Sequence, residues 1–258
     1  MNATIINLAR EKNRLAFLEK NIRDNKVKWN FSIFKAYEID ELHIHKIPNT
    51  SISPGLISLA LGHRDIVRNH LHSKDHIAIL EDDIEFNPIT EEAVQATISR
   101  LESNKSEWDI LFTDICIPLH QDMLSLMQKR RYLISNITLL DLSKLHFAGT
   151  TCVIINFKSI QKYYQLLNLD EFLLEPIDLY IKKLIHQNKL NAFCIFPFAT
   201  SLSRHADASS IQPSEVHLQN IIWNEFRRTM CIHTNHDAIQ KQIYYLQSRE
   251  TSEQCMAS

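Results

Sequence analysis

Three carboxylates stand in a row in this sequence, Glu81-Asp82-Asp83, directly after the apolar run from His76 to Leu80. A strand that ends in acids delivers them to the carboxyl edge of a sheet, where open α/β folds bind their ligands. Hard oxygen donors there suit Mg²⁺ or Mn²⁺, which take a few carboxylates and complete their shell with water and substrate phosphates. Acids two residues apart around a turn can divide the work, one holding a cation and the other a ligand hydroxyl. A solvated acidic turn is the plain alternative. Several of the 13 histidines stand at short spacing: His43 with His45, His70 with His72, and Cys231 with His233 and His236. No second Cys or His pair completes any of them at zinc-finger separation, so a structural zinc site is not expected.

The elements that must position these groups alternate along the chain. Thr4 to Leu8 is a short β-like run, and Arg10 to Asn25 carries Leu15, Leu18 and Ile22 at the spacing of an amphipathic helix. Trp29 to Phe34 reads as a second strand. Pro54-Gly55 opens a helix to about Leu71, with Leu56, Leu59 and Ile66 on one face. Beyond the acids, Pro88 and Thr90 restart a helix to about Leu101. Trp108 to Phe112 and the longer Phe147 to Phe157 read as strands, Ser159 to Leu167 and Pro176 to Gln187 as helices, and Ala192 to Phe196 as the last strand. Ser201 to Pro213 reads as loop, and two terminal helices follow. In the first of these, Val216, Ile222, Trp223 and Phe226 form an apolar stripe ending in Arg227-Arg228. Core packing is its first reading and peripheral attachment to an anionic inner membrane its second. Strand–helix alternation implies an α/β fold with a mainly parallel sheet flanked by helices. No repeat or Gly/Ser/Pro-rich linker divides it, so residues 1–230 are read as one domain and 231–258 as a helical, polar tail.

Composition agrees with an ordinary folded domain. The 258 residues are 45% hydrophobic and 22% charged, and a chain of this length buries roughly three quarters of its unfolded surface. Lys and Arg number 28 against 30 acids, a net of −2, which leaves no electrostatic footprint for nucleic acid. With 3 glycines and 7 prolines, collagenous and low-complexity classes are excluded. The start turns polar at Arg10, giving no signal-peptide core, and no apolar run approaches the ~20 residues of a membrane span. Five scattered cysteines without a CxxC pair then read as reduced thiols in a cytoplasmic protein.

Read in order, several short motifs resemble glycosyltransferase family 25, the group with bacterial lipooligosaccharide galactosyltransferases and collagen galactosyltransferases. Ile5-Ile6-Asn7-Leu8 with Arg10 and Arg14 looks like the family's N-terminal Ile-Asn-Leu and downstream Arg. Phe34-Lys35-Ala36-Tyr37-Glu38 sits where the family has Phe-x-Ala-x-Asp. Gly55 to His63 is similar to its Gly-Glu-x-Gly-Cys-x-x-Ser-His stretch, and Ile77 to Asp83 to its hydrophobic strand ending in Glu-Asp-Asp. Trp108-Asp109-Ile110-Leu111, Gly149-Thr150, Glu175-Pro176-Ile177-Asp178 and Ser209-Ser210-Ile211 match its later pieces. Leu56, Ser58 and Gly62 depart from the pattern, and Asp114 falls where glycine-rich sequence is usual.

The resemblance implies a GT-A-like fold and an inverting, metal-dependent transfer of a hexose, galactose first, from a UDP-sugar to a lipooligosaccharide, lipopolysaccharide or other glycan acceptor. Under it Asp83 is the metal ligand for Mn²⁺ or Mg²⁺, Glu81 contacts the donor sugar or ribose, and Asp82 supports them. Asp178, opening a helix where the N-terminus favours a carboxylate, is the candidate base, with a helix cap or a first-turn acid as the alternative. Asn7 and Arg14 are candidate nucleotide and phosphate contacts, against a local turn and a solvated helix face. His63 is a donor-site residue or a core histidine. His205, in the late loop beside Arg204, is a second metal contact or an exposed histidine, and that loop could close over the donor. A protein acceptor, or a glycosyltransferase-like binding module without turnover, are the competing functions.

Overall fold

In this computed structural model, residues 1–45, 47, 50–133, 137–207 and 217–234 are described. The apolar runs become strands because helices bury them from both sides. In chain order the elements are β1 (Asn2–Asn7), α1 (Lys12–Asp24), β2 (Asn30–Lys35), α2 (Pro54–Asn69), β3 (Ile77–Glu81), β4 (Ile84–Glu85), α3 (Thr90–Ser103) and β5 (Ile110–Phe112). Then come α4 (His120–Tyr132), β6 (Thr138–Asp141), β7 (Cys152–Ile155), α5 (Ile160–Leu166), α6 (Ile177–His186), β8 (Ala192–Phe196), β9 (Ser201–Leu202) and α7 (His217–Thr229). A seven-stranded sheet has the order β2-β1-β3-β7-β5-β8-β6, and β4 pairs with β9 apart from it.

β1 lies parallel to both β2 and β3, with Ile5 opposite Ile33 on one side and Leu80 on the other. β7 runs antiparallel to β3 and β5, β5 parallel to β8, and β6 antiparallel to β8. Five strands therefore share one direction, and β7 and β6 oppose it, giving a mixed, mostly parallel α/β sheet. The pleat sends alternate residues to two cores. Ile77 and Ile79 of β3 join Leu61, Tyr163 and Tyr180 from α2, α5 and α6. Ala78 and Leu80 join Leu18, Val94 and Leu101 from α1 and α3. All four β3 residues are buried, which is why this strand reads as a continuous apolar run.

Three sequence readings are narrowed. The β-like run from Phe147 to Phe157 is a strand only over Cys152–Ile155, because Gly149 turns the chain at φ 87° and Ala148 bridges to Cys116. Ser201 to Pro213 is not loop throughout: it begins with β9, and Arg204–Asp207 forms a 3₁₀ turn. α4 and β6 were not anticipated. At the C-terminus, α7 is the first of the two expected helices. Ile232 still donates its N–H to the Phe198 carbonyl at 2.8 Å, so the chain remains on the body past residue 230. The second helix, most of the 231–258 tail and Ser209-Ser210-Ile211 lie outside the described residues. Among the described residues no helix is long and apolar enough to cross a membrane.

Candidate active site

The strand order reverses at β1, since β2 lies to one side of it and β3 to the other. A crevice is expected outside the carboxyl ends of strands at such a switch point. A cavity of about 440 Å³ opens there. Asn7 ends β1 and Glu81 ends β3, so both reach this edge. Because β7 is reversed, the residues before it, Gly149, Thr150 and Thr151, arrive at the same edge from the other direction.

The acidic triplet is tied into this edge by named contacts. Asn7 Nδ2 donates to Asp82 Oδ2 at 2.7 Å. The Arg14 guanidinium reaches Asp82 Oδ1 and Asp83 Oδ2, both at 2.8 Å, and its side chain is only 14% exposed. Arg14 is therefore not a solvated helix residue: it lines the cavity, and only Nη2 is used in these ion pairs. Thr150 Oγ1 donates to Glu81 Oε1 at 2.9 Å. Ser203 N–H donates to the Asp83 carbonyl at 2.8 Å, and the β4–β9 pairing next to it fixes the late loop against the triplet.

Glu81 lines the cavity but is packed on its other sides. Burial first, and the negative charge of Asp83 second, push its carboxyl up to about 8, against the opposing pull of the Thr150 hydroxyl and Arg227. Burial also lifts Asp82, to about 6, although Arg14 and Asn7 oppose the shift. Three acids are thus crowded into a partly dry wall with one guanidinium between two of them. The plain reading, a solvated turn, does not describe this arrangement.

Asp178 lines the same cavity. Pro176 occupies the N-cap position of α6, so Asp178 is a first-turn residue rather than the cap. Its Oδ2 accepts the Gly149 N–H at 3.0 Å and its Oδ1 the Leu179 N–H at 2.9 Å. Two backbone donors therefore orient the carboxylate at the cavity wall.

The two histidines are placed elsewhere. His63 is fully buried on α2, outside the cavity wall, and neither ring nitrogen has a hydrogen-bond partner. Burial depresses its pKa to about 3, which makes it a neutral core residue. His205 is exposed and meets Phe17 edge-on, ring centroids 5.1 Å apart, and it does not line the cavity. The departures at residues 56–62 have separable meanings. Leu56 and Ser58 line the cavity, and Ser58 donates to the Tyr37 carbonyl at 2.8 Å. Gly62 instead marks close packing: a Cβ there would lie 3.3 Å from Ile6 Cδ1.

Sequence reasoning missed one wall altogether. α7 contributes Trp223, Asn224 and Arg227 to the cavity. Arg227 is bonded through Nε to Asp114 Oδ2 at 2.9 Å, and Asp114 has no exposed surface. Arg228 donates to the carbonyls of Leu202 and Ser203 and to Asp207. Both arginines are thus turned into the protein, in line with core packing, the first reading of this helix. The one available signal was that Asp114 stood where the family pattern has glycine; its partner lies 113 residues away.

The donor set bears on a divalent cation. Asp83 Oδ1 is buried without a partner, beside Glu81, whose carboxyl is pushed up by burial first and by the Asp83 charge second. Among the described residues no three His, Cys, Asp or Glu side chains form a ready cage. The unpartnered Asp83 oxygen is the one feature here that fits Mn²⁺ or Mg²⁺, whose remaining ligands would be water and phosphate oxygens.

The comparison with known families closes on the same residues. The sequence profile of glycosyltransferase family 25, described as an LPS biosynthesis protein, matches residues 1–181, from β1 into α6. The chain belongs to glycosyltransferase family 25. A search among characterised proteins gave no significant match. The matched segment holds the acidic triplet and Asp178; α7 lies beyond it.

Proposed function

We propose that the cavity binds a UDP-hexose, UDP-galactose first, with Mn²⁺ or Mg²⁺, and passes the hexose with inversion to a lipooligosaccharide, lipopolysaccharide or related glycan acceptor. The acceptor glycolipid is taken to be under assembly at the cytoplasmic face of the inner membrane. The observation that carries this reading is the convergence of Glu81, Asp82 and Asp83 with Asp178 in one cavity at the sheet's switch point.

In the proposed reaction the acceptor hydroxyl oxygen bonds to the anomeric carbon from the face opposite the leaving group. The carbon–oxygen bond to the diphosphate breaks, and UDP departs with its electron pair. Asp178, oriented by the Gly149 and Leu179 N–H groups, takes the hydroxyl proton. Asp83, supported by Asp82, would hold the cation, which when bound supplies Lewis-acid neutralisation of the charge developing on the diphosphate, and Glu81 would contact the donor sugar or ribose. Asn7 and Arg14 keep Asp82 and Asp83 in place at the strand ends. Holding donor and acceptor in line contributes further, by up to ~7–11 kcal/mol in favourable models.

Two measurements test the reading. Thermal-shift screening of UDP-galactose, UDP-glucose, UDP-N-acetylglucosamine and GDP-sugars, with and without Mn²⁺, should raise the melting temperature for the true donor, because a ligand of the native state stabilises by mass action. Calorimetry with UDP should show binding in Mn²⁺ that is lost in EDTA. Equal affinity in both would remove the metal from the mechanism, and donor binding without transfer to any acceptor would select the binding-module reading.

A further inference from the structure

The cavity wall that lies beyond the family match carries a cation held in an unusual way. Arg227 is 5% exposed, although it sits on a terminal helix. Its Nε and one terminal nitrogen bind Asp114 Oδ2, at 2.9 and 2.5 Å, and the same terminal nitrogen reaches Thr151 Oγ1 at 2.5 Å. Asp114 is in turn bonded by Thr200 Oγ1 at 3.1 Å, so the guanidinium plane is fixed from behind. The other terminal nitrogen, Nη1, makes no hydrogen bond among the described residues, yet the side chain lines the cavity. Nη1 is directed towards Gly149: a Cβ on that residue would lie 3.7 Å from it. Gly149 also lines the cavity and adopts φ 87°, a conformation in which glycine is favoured.

A guanidinium presents its donors in a rigid fork and binds phosphate oxygens well. Here part of the fork is consumed by a buried carboxylate and a hydroxyl, and the side chain lines a cavity whose other wall is acidic. We propose that Arg227 is a substrate-binding residue whose Nη1 edge takes an oxygen of the donor's diphosphate, with Asp114 and Thr151 as its positioning residues. This assignment rests on the nucleotide-sugar reading above and adds to it a contact from α7, outside the matched segment.

The test must separate binding from the internal ion pair. Removing Arg227 alone would leave Asp114 buried and unpaired, which is strongly destabilising. The double variant Asp114→Leu/Arg227→Met replaces the pair by apolar groups of similar size, an exchange that proteins often tolerate. UDP and uridine are titrated calorimetrically in Mn²⁺ into the wild-type protein and the double variant, with melting curves for both. UDP affinity should fall about tenfold or more in the variant, the usual size of a lost charged hydrogen bond, while uridine binding stays unchanged. Wild-type UDP affinity in the folded double variant would overturn the proposal. So would an equal loss of UDP and uridine, which marks a collapsed wall rather than a lost phosphate contact. If the double variant does not fold, Arg227→Lys, which leaves Asp114 a cation, decides by the same criterion. Failure of the wild-type protein to bind any nucleoside diphosphate would overturn the transferase reading itself and this contact with it. Binding by wild type with unaltered variants overturns the Arg227 assignment alone.

Discussion

At the scale of single residues, Asp178 and Asp83 occupy different parts of one wall, and substitution should separate their work. Asp178 accepts two backbone N–H groups, one on each carboxylate oxygen; an asparagine keeps one of these acceptors and loses the other, so Asp178→Asn should still fold cooperatively, with a loss of about 1 kcal/mol. It cannot take the acceptor proton. Its kcat should fall by roughly 10²–10⁴-fold with UDP affinity unchanged, in steady-state assays paired with calorimetry. Full turnover would send the search for a base to Glu175 and Asp207. Asp83→Asn should act on the other half of the reaction. The carboxamide has nearly the same shape but cannot pair with Arg14 or hold a cation as the carboxylate does. Mn²⁺-dependent UDP binding should disappear while the melting curve remains cooperative; binding like wild type would reduce the triplet to a structural feature. Both acids were legible in the sequence because local pattern placed them, one at the end of an apolar run and the other just after Pro176. Arg227 was not legible, since its meaning depends on Asp114, and nothing local connects a helix near residue 227 to a strand end at 114.

At the scale of elements, legibility follows the same division between local pattern and tertiary choice. α1, α2, α3, α6 and β8 appear close to their expected bounds because periodicity and Pro or Gly punctuation are local signals. The reversal of β7 had no such signal: a buried strand reads alike in either direction, and connections set its sense. α4 was unread because Met123, Leu126 and Met127 are nearly all the apolar surface it buries. The fit of α2 onto the sheet yields a prediction at Gly62. A methyl there meets Ile6 Cδ1 at 3.3 Å, the mobile end of a side chain, while alanine is favoured over glycine in a helix by about 1 kcal/mol. Gly62→Ala should therefore change stability by no more than about 1 kcal/mol in denaturant unfolding. Gly62→Val adds branches towards Ile6 and the Phe34 ring, 3.5 Å from the Cβ position, and should lose ~1–3 kcal/mol by overpacking. Equal stability of the two variants would show that α2 stands further from β1 and β2 than described.

For the whole molecule, the acidic wall makes folding and ligand binding answer to pH in a definite direction. Without a cation, Glu81 titrates near 8 in the folded protein, against an ordinary value of 4.5. Between those limits the folded state holds a proton that the unfolded chain has released, so this group's contribution to stability is complete below pH 4.5 and is lost as pH rises towards 8. Paired carboxylates elsewhere, such as Asp207 beside Arg228, act in the opposite sense and lose their contribution as pH falls. The Glu81 effect is therefore read as a difference between proteins. Glu81→Gln can keep the Thr150 hydrogen bond through its carbonyl oxygen and carries no charge at any pH. In EDTA, melting curves of wild type and Glu81→Gln should nearly coincide at pH 5, and the variant should be the more stable by a few degrees at pH 8.5. Addition of Mn²⁺ with UDP should reverse the order at pH 8.5, because a bound cation compensates the carboxylate that the variant lacks. Parallel curves from pH 5 to 8.5 in EDTA would mean that Glu81 is ionised throughout, and that the crowded wall needs no cation to hold its charge.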